Sequence, residues 1–236
     1  MSGMHRMSEL PPWDRLLKQI VWAQLGEISG KRILDFGSGN GVTANHFAER
    51  NIVTAVEPSA EMLRDRWDDR EYEQIAGDIS ALADFADGSF DVVLCHNVLE
   101  YVDNKQQVVS ELCRLLKVGG RLSILKHNRA GRVMQMAVLL DDIDKANELL
   151  DGKDSSSKQF GAIGYYDDEQ IAEWSKGLRL LNTFGIRTFW DLQQNQDKHR
   201  TEEWQSRMMQ LEMRVSTIDE YRRIAFFHHL LFEKIT

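Results

Sequence analysis

The chain has 236 residues, 42% of them hydrophobic, and a formal net charge of −8. That is enough apolar material for one large core, and the acidic balance argues against a general nucleic-acid binder. No run of 18 apolar residues offers a membrane span. The opening MSGMHRMSELPPWDR has no apolar export region, and Cys95 and Cys113 stand at no metal or redox spacing. A cytoplasmic protein without a bound metal or a membrane is therefore expected.

PPWDRLLKQIVWAQLGEI carries Leu16, Leu17, Ile20, Val21 and Leu25 at helical spacing, which predicts a helix within residues 11–28. KRILDF reads as a short buried strand ended by glycines, and VTANHFAER as the helix after it. IVTAVE is a second strand, SAEMLRDRW a helix and EYEQIAGD a weaker third strand. FDVVLCH is a fourth strand, KQQVVSELCRLLK an amphipathic helix, and GGRLSILKHN a fifth strand. Continuous apolar strands alternating with amphipathic helices predict a parallel sheet covered on both faces.

After the fifth strand the pattern changes. Val133, Met136, Ala137, Leu140 and Ile143 fit one helix face, and DGKDSSSKQFGAIG reads as a polar loop. Residues 129–165 are read as an insertion over the carboxyl ends of the strands. DDEQIAEWSKGL is a further helix with acids at its start, and RLLNTFGIRTFWDL is strand-like. EEWQSRMMQLEMRV is a helix with Trp204, Met208, Leu211 and Val215 on one side, and RIAFFHHLLFEKI closes the chain as a strand. No boundary divides the chain, so residues 1–236 are expected to form one domain.

Charge is uneven. Between Leu112 and Leu140 there is no acid, against Arg114, Lys117, Arg121, Lys126, Arg129 and Arg132. Such a stretch is either a solvated face or a contact for one anionic partner.

The turn ILDFGSGNG has Gly37, Gly39 and Gly41 between a strand and a helix, where glycine permits a sharp turn and close approach of a ligand. The dinucleotide fingerprint G-x-G-x-x-G fails at Val42, which disfavours an NAD-dependent oxidoreductase. Glu57 ends the second strand, where a carboxylate can take both hydroxyls of a ribose. Asp78 closes the third strand in AGDI, placed to accept from an adenine amino group.

In this order LDFGSGNG, AVEPS, GDI and LKVGG resemble the motifs of the class I S-adenosylmethionine-dependent methyltransferases, with Val118 where that family usually has proline. The resemblance implies a Rossmann-like, mostly parallel seven-stranded sheet with helices on both faces and a helical insertion after the fifth strand. It implies S-adenosylmethionine as cofactor. Asp35 and the Gly37–Gly39 backbone would lie beside its methionine part, Glu57 on the ribose, Asp78 and Ile79 about the adenine, and His96 beside the tail.

In the second half ILKHNRAGRVMQM, GIRTFWDL, MQLEMRV and FFHHLLFEK resemble the bacterial tRNA carboxymethoxyuridine methyltransferases. These methylate the side-chain carboxylate of a modified wobble uridine. The resemblance implies catalytic roles for Asn128 and Arg187, substrate-binding roles for Arg129, Arg187, Arg214 and His229, and a family position for Glu212, with Asn128 facing the cofactor cleft. Arg187 or Arg129 would grip the carboxylate, which is already ionised and requires no base. His127 could serve as a base for another acceptor. Phe189, Trp190, Phe226 and Phe227 are read as core in preference to a base-stacking platform. Alternatives are a methyltransferase for a small acidic metabolite and a cofactor-binding protein without turnover. The expected partners are the cofactor and tRNA, with the chain a monomer or homodimer.

Overall fold

A computed structural model describes residues 5–157 and 161–236. The sequence readings that fall on residues 1–4 and 158–160 lie outside the described residues.

The chain enters through α1 (Pro12–Leu25), with proline at the helix start where its missing N–H is unneeded. Strands and helices then alternate: β1 (Arg32–Phe36), α2 (Val42–Phe47), β2 (Ile52–Glu57), α3 (Ala60–Arg64), β3 (Glu73–Ala76), β4 (Phe90–His96), α4 (Lys105–Leu115) and β5 (Leu116–His127). The insertion contributes α5 (Arg129–Met134), a π-helical turn over Gln135–Leu139, α6 (Ile143–Leu150), and an antiparallel ribbon of β6 (Ser155–Ser157) with β7 (Gly161–Ile163). The remaining elements are α7 (Asp168–Trp174), β8 (Leu178–Ile186), α8 (Glu202–Val215), α9 (Asp219–Arg222) and β9 (Phe227–Lys234).

Seven strands form one sheet in the order β3-β2-β1-β4-β5-β9-β8. All pairings among β1 to β5 are parallel, and β9 runs antiparallel to both of its neighbours. The expected architecture is therefore present. β1, β2, β4, β5 and β9 feed both faces, which explains why they read as largely unbroken apolar runs. Leu34, Val93, Ile124 and Phe232 pack with Val108, Leu112 and Ile171 of α4 and α7. Ile33, Leu94, Leu125 and Leu231 pack with Leu16, Ile20 and Met208 of α1 and α8. Chain order reverses at β1, which has β2 on one side and β4 on the other. In such sheets the crevice at that switch point receives ligands.

Four expectations change. The single helix through Val133 and Ile143 is broken: Asp141 takes a positive φ of 52° and Asp142 caps α6, leaving Leu140 and Ile143 exposed. Part of the stretch read as a loop is ribbon. On α8, Leu211 is exposed and Glu212 is fully buried, because three backbone amides of the preceding loop need its carboxylate. The basic stretch is no single patch. Arg114 pairs with Asp87 and Glu111, Lys117 pairs with Asp91, and Lys126 is buried against Asp168. Alternation along the strand and separate partners scatter these charges.

Candidate active site

The glycine turn sits at the carboxyl end of β1. Gly37 and Gly39 have φ of 75° and 58°, the left-handed region that a side chain disfavours. A Cβ on Gly37 would lie 2.2 Å from the Val98 side chain, whereas a Cβ on Gly39 would meet nothing within 4 Å. The backbone at Gly39 thus borders open space. Glu57, at the end of β2, spans the turn: Gly39 N–H donates to Oε2 and Ser59 N–H to Oε1, each at 2.8 Å. A carboxylate has about four acceptor sites, so ribose hydroxyls can still bond to it.

Asp35 is 2% exposed, and its Oδ2 has no hydrogen-bond partner among the described residues. Burial pushes its pKa from 3.8 up to about 6, against the opposing Lys18 charge and the Ala44 amide. Asp78 lies beyond the end of β3 and is exposed. Its carboxylate accepts from the Ser80 hydroxyl at 2.7 Å and amide at 2.9 Å, which hold it below the usual carboxylate range. Ile79, in the turn that Asp78 caps, leans on the core.

His96 closes β4 and heads a buried chain of hydrogen bonds. Its Nε2 meets Ser123 Oγ at 2.8 Å, Ser123 Oγ meets His229 Nε2 at 2.8 Å, and His229 Nδ1 meets Gln24 Oε1 at 2.7 Å. Burial holds both imidazoles neutral, His229 down at about 3. His229 is 0% exposed with both nitrogens engaged. Its expected contact with a substrate is therefore corrected to a core role behind His96.

The second cluster lies past the ends of β5 and β8. Arg187 has a φ of 61° and is 8% exposed. Its Nε donates to Asp191 Oδ2 at 2.8 Å and its Nη2 to Asp191 Oδ1, while Gln135 Nε2 also donates to Oδ1 at 3.1 Å. The guanidinium lies 5.0 Å from the Phe226 ring centroid and 5.2 Å from that of Phe227. These groups line a cavity of about 390 Å³ with Trp13, His127 and Trp190. Arg187 therefore already holds one carboxylate, and among the described residues no hydrogen bond engages its Nη1. Phe226, Phe227 and Trp190 are buried as expected, yet they also wall the cavity.

Other expectations for this region change. β5 ends at His127, and Asn128 caps α5. Its amide donates to Arg223 O at 2.9 Å and Ala225 O at 2.8 Å. These bonds hold the approach to β9, and Asn128 also lines a cavity with Lys126, Arg129 and His228. Arg129 stacks 4.6 Å from Tyr165 and donates to Leu149 O and Lys153 O, which ties the insertion together. Arg214 is exposed near the end of α8 and lines neither cavity at the strand ends.

Sequence reasoning missed two buried clusters. Lys126 Nζ bonds Asp168 Oδ1 at 2.9 Å, and Asp168 Oδ2 meets His228 Nδ1 at 2.7 Å, beside a second cavity of about 550 Å³. Burial would raise Asp168, but the His228 and Lys126 contacts bring it to about 2. Glu100 Oε1 accepts from the His127 amide at 2.6 Å and from its Nδ1 at 3.0 Å. Neither cluster has a local signature, because its members are 27 or more residues apart. Among the described residues no group of three or more His, Cys, Asp and Glu could hold a metal ion.

A crevice at the switch point, an open glycine turn and two buried acids suit a cationic, phosphate-free nucleoside. Residues 34–124 match the methyltransferase domain family. The fold superposes on an S-adenosylmethionine-dependent methyltransferase from Mesorhizobium loti with a TM-score of 0.59 at 16% identity, covering 97% of this chain and 100% of that one. The protein is an S-adenosylmethionine-dependent methyltransferase with a class I sheet.

Among relatives, it is 25% identical to the tRNA 5-carboxymethoxyuridine methyltransferase of Escherichia coli K12, over 93% of this chain and 88% of that one. It is 29% identical to a ubiquinone biosynthesis O-methyltransferase of Paracidovorax citrulli, over 57% of this chain and 62% of that one. The cofactor supplies an electrophilic methyl group on a sulfonium. The orphaned Oδ2 of Asp35 and the open space at Gly39 fit that group.

Proposed function

We propose that this enzyme transfers the methyl group to the carboxylate of a modified wobble uridine in tRNA, in the cytoplasm. The observation that carries this reading is the Arg187 cavity. It joins a buried guanidinium, with no hydrogen bond to Nη1 among the described residues, to aromatic walls at the carboxyl ends of the strands. The similarity to the Escherichia coli enzyme runs through the second half of the chain, which builds this cavity. Arg187 orients the acceptor carboxylate, and Asp191 tempers its charge so that the oxygen stays nucleophilic. Alignment and exclusion of water supply the rate. Asp35 and the Gly37–Gly39 backbone receive the methionine part, Glu57 the ribose, Asp78 and Ile79 the adenine, and His96 borders the tail.

The test is incubation of the enzyme and S-adenosylmethionine with tRNA from cells lacking this methyl group, followed by nucleoside mass analysis. The expected product is the methyl ester. Rate should fall steeply with added salt, because counterions are released when a polyanion binds. Methylation of a small metabolite with tRNA unchanged rejects the reading.

Glu57→Ala is expected to weaken S-adenosylhomocysteine binding by about 2–4 kcal/mol, as charge-assisted hydrogen bonds to the ribose are lost. Calorimetry measures this. A fall in melting temperature without a change in affinity assigns Glu57 to the turn alone.

Affinity should also depend on pH through Asp35. Its pKa is raised to about 6 in the free protein. A cationic ligand beside Oδ2 favours the ionised form and lowers that pKa. Binding then expels a proton at pH values between the bound and free pKa, so affinity rises as pH goes from 5 to 7. Over that interval the gain is roughly 10-fold if the bound pKa returns to an ordinary carboxylate value. Asp35→Asn should flatten this dependence.

A further inference from the structure

We infer that His127 is a catalytic base with Glu100 as the positioning residue behind it, so that the cleft also methylates a second acceptor class, an un-ionised hydroxyl of phenol or enol type. The inference rests on the methyltransferase cleft and not on the tRNA acceptor. A carboxylate needs no proton removed, so the function proposed above leaves this pair unused.

The geometry is that of a backed imidazole. The Glu100 side chain is 0% exposed. Its Oε1 accepts both the backbone N–H and the ring Nδ1–H of His127, at 2.6 and 3.0 Å. An acceptor-only carboxylate at Nδ1 dictates the tautomer, which leaves the lone pair on Nε2. That nitrogen has no hydrogen-bond partner among the described residues. The ring is held between Phe226 and Phe227, with centroids 5.7 and 4.7 Å away. It forms part of the wall of the cavity that Arg187 enters. Glu100 Oε2 is buried without a partner among the described residues, so the carboxylate can answer a positive charge arising on the ring.

In the step, the O–H bond of the acceptor breaks and its proton passes to His127 Nε2. The oxygen's electron pair forms the new bond to the methyl carbon. The carbon–sulfur bond breaks and its pair returns to sulfur, leaving the methyl ether, S-adenosylhomocysteine and a proton on the imidazole for release to water. Arg187 stabilises the developing oxyanion. The charged and titratable groups about the ring are Glu100 from the turn after β4, Arg187 and Asp191 after β8, Arg132 over Phe226 from α5, and His199 on the cavity wall.

The probe is catechol, incubated with S-adenosylmethionine across pH 5–8, with undermethylated tRNA in a separate arm. Wild-type protein should form the catechol methyl ether, with kcat rising through one ionisation to a plateau. His127→Asn keeps a donor for Glu100 and should fold, yet lose about 10²-fold or more in kcat with catechol KM little changed. Glu100→Gln should move the rising limb to lower pH, since the imidazolium loses its counter-charge. A purely structural pair would lower the melting temperature and leave the limb where it is. Catechol left unmethylated, or a limb that survives in His127→Asn, overturns the inference. tRNA methylated without catechol overturns the base role alone, and catechol methylated without tRNA supports it while rejecting the tRNA acceptor.

Discussion

Arg187→Ala combined with Asp191→Asn is expected to lower methyl transfer to a carboxylate acceptor by roughly 10–10²-fold, the equivalent of one charge-assisted hydrogen-bond pair. Affinity for S-adenosylhomocysteine should change little, because the guanidinium lies past the ends of β5 and β8, away from the glycine turn. The double variant matters. Arg187 and Asp191 are 8% and 7% exposed in their side chains, and removing one partner of such a pair leaves an uncompensated charge costing about 3–5 kcal/mol. Arg187→Ala alone would therefore confuse unfolding with lost chemistry. Arg187→Lys keeps the charge but cannot serve Asp191 and an acceptor with one planar fork, so partial activity is expected. Steady-state rates with the methyl acceptor and calorimetry with S-adenosylhomocysteine separate the two effects. A double variant that methylates at the wild-type rate would remove Arg187 from the acceptor site.

Glu212→Ala should cost roughly 3–5 kcal/mol of stability, because it strands several buried donors at once. Glu212 is 0% exposed, and its carboxylate accepts the amides of Thr188, Phe189 and Trp190 at 2.7, 2.8 and 3.0 Å. Those amides belong to the loop that carries Arg187 in its left-handed conformation. Burial raises the Glu212 pKa, and the three amides only partly oppose it. Glu212→Gln retains one acceptor oxygen but turns an NH₂ toward a backbone donor, so an intermediate loss is expected. Urea midpoints for the three proteins should fall in the order wild type, Gln, Ala. An alanine variant as stable as wild type would mean that another group or water satisfies the loop.

Periodicity alone made most of the framework legible. Ile33 to Phe36 and Val92 to Cys95 read as fully buried strands because each faces a helix layer on both sides. The amphipathic spacing of α1 and α4 announced the covering layers, and the glycines after β1 marked the ligand turn without any contact being known. These are local signals: one residue's burial depends on its neighbours two, three or four positions away.

The charge pairings that shape the acceptor site are of another kind. Glu100 reaches His127 because parallel pairing sets His96 opposite Leu125 and brings the turn after β4 beside the end of β5. His229 was expected to touch substrate, but antiparallel pairing with β5 sets it opposite Leu125 and turns it inward onto Ser123. Asn128 was expected in the cleft, but the β9 approach takes its amide. Helical spacing favoured Leu211 for the core, yet the unmet amides of a loop 22 to 24 residues away drew Glu212 inward instead. A buried donor or acceptor must find a partner wherever the fold brings one. That partner is set by strand order and register, which no window of sequence contains.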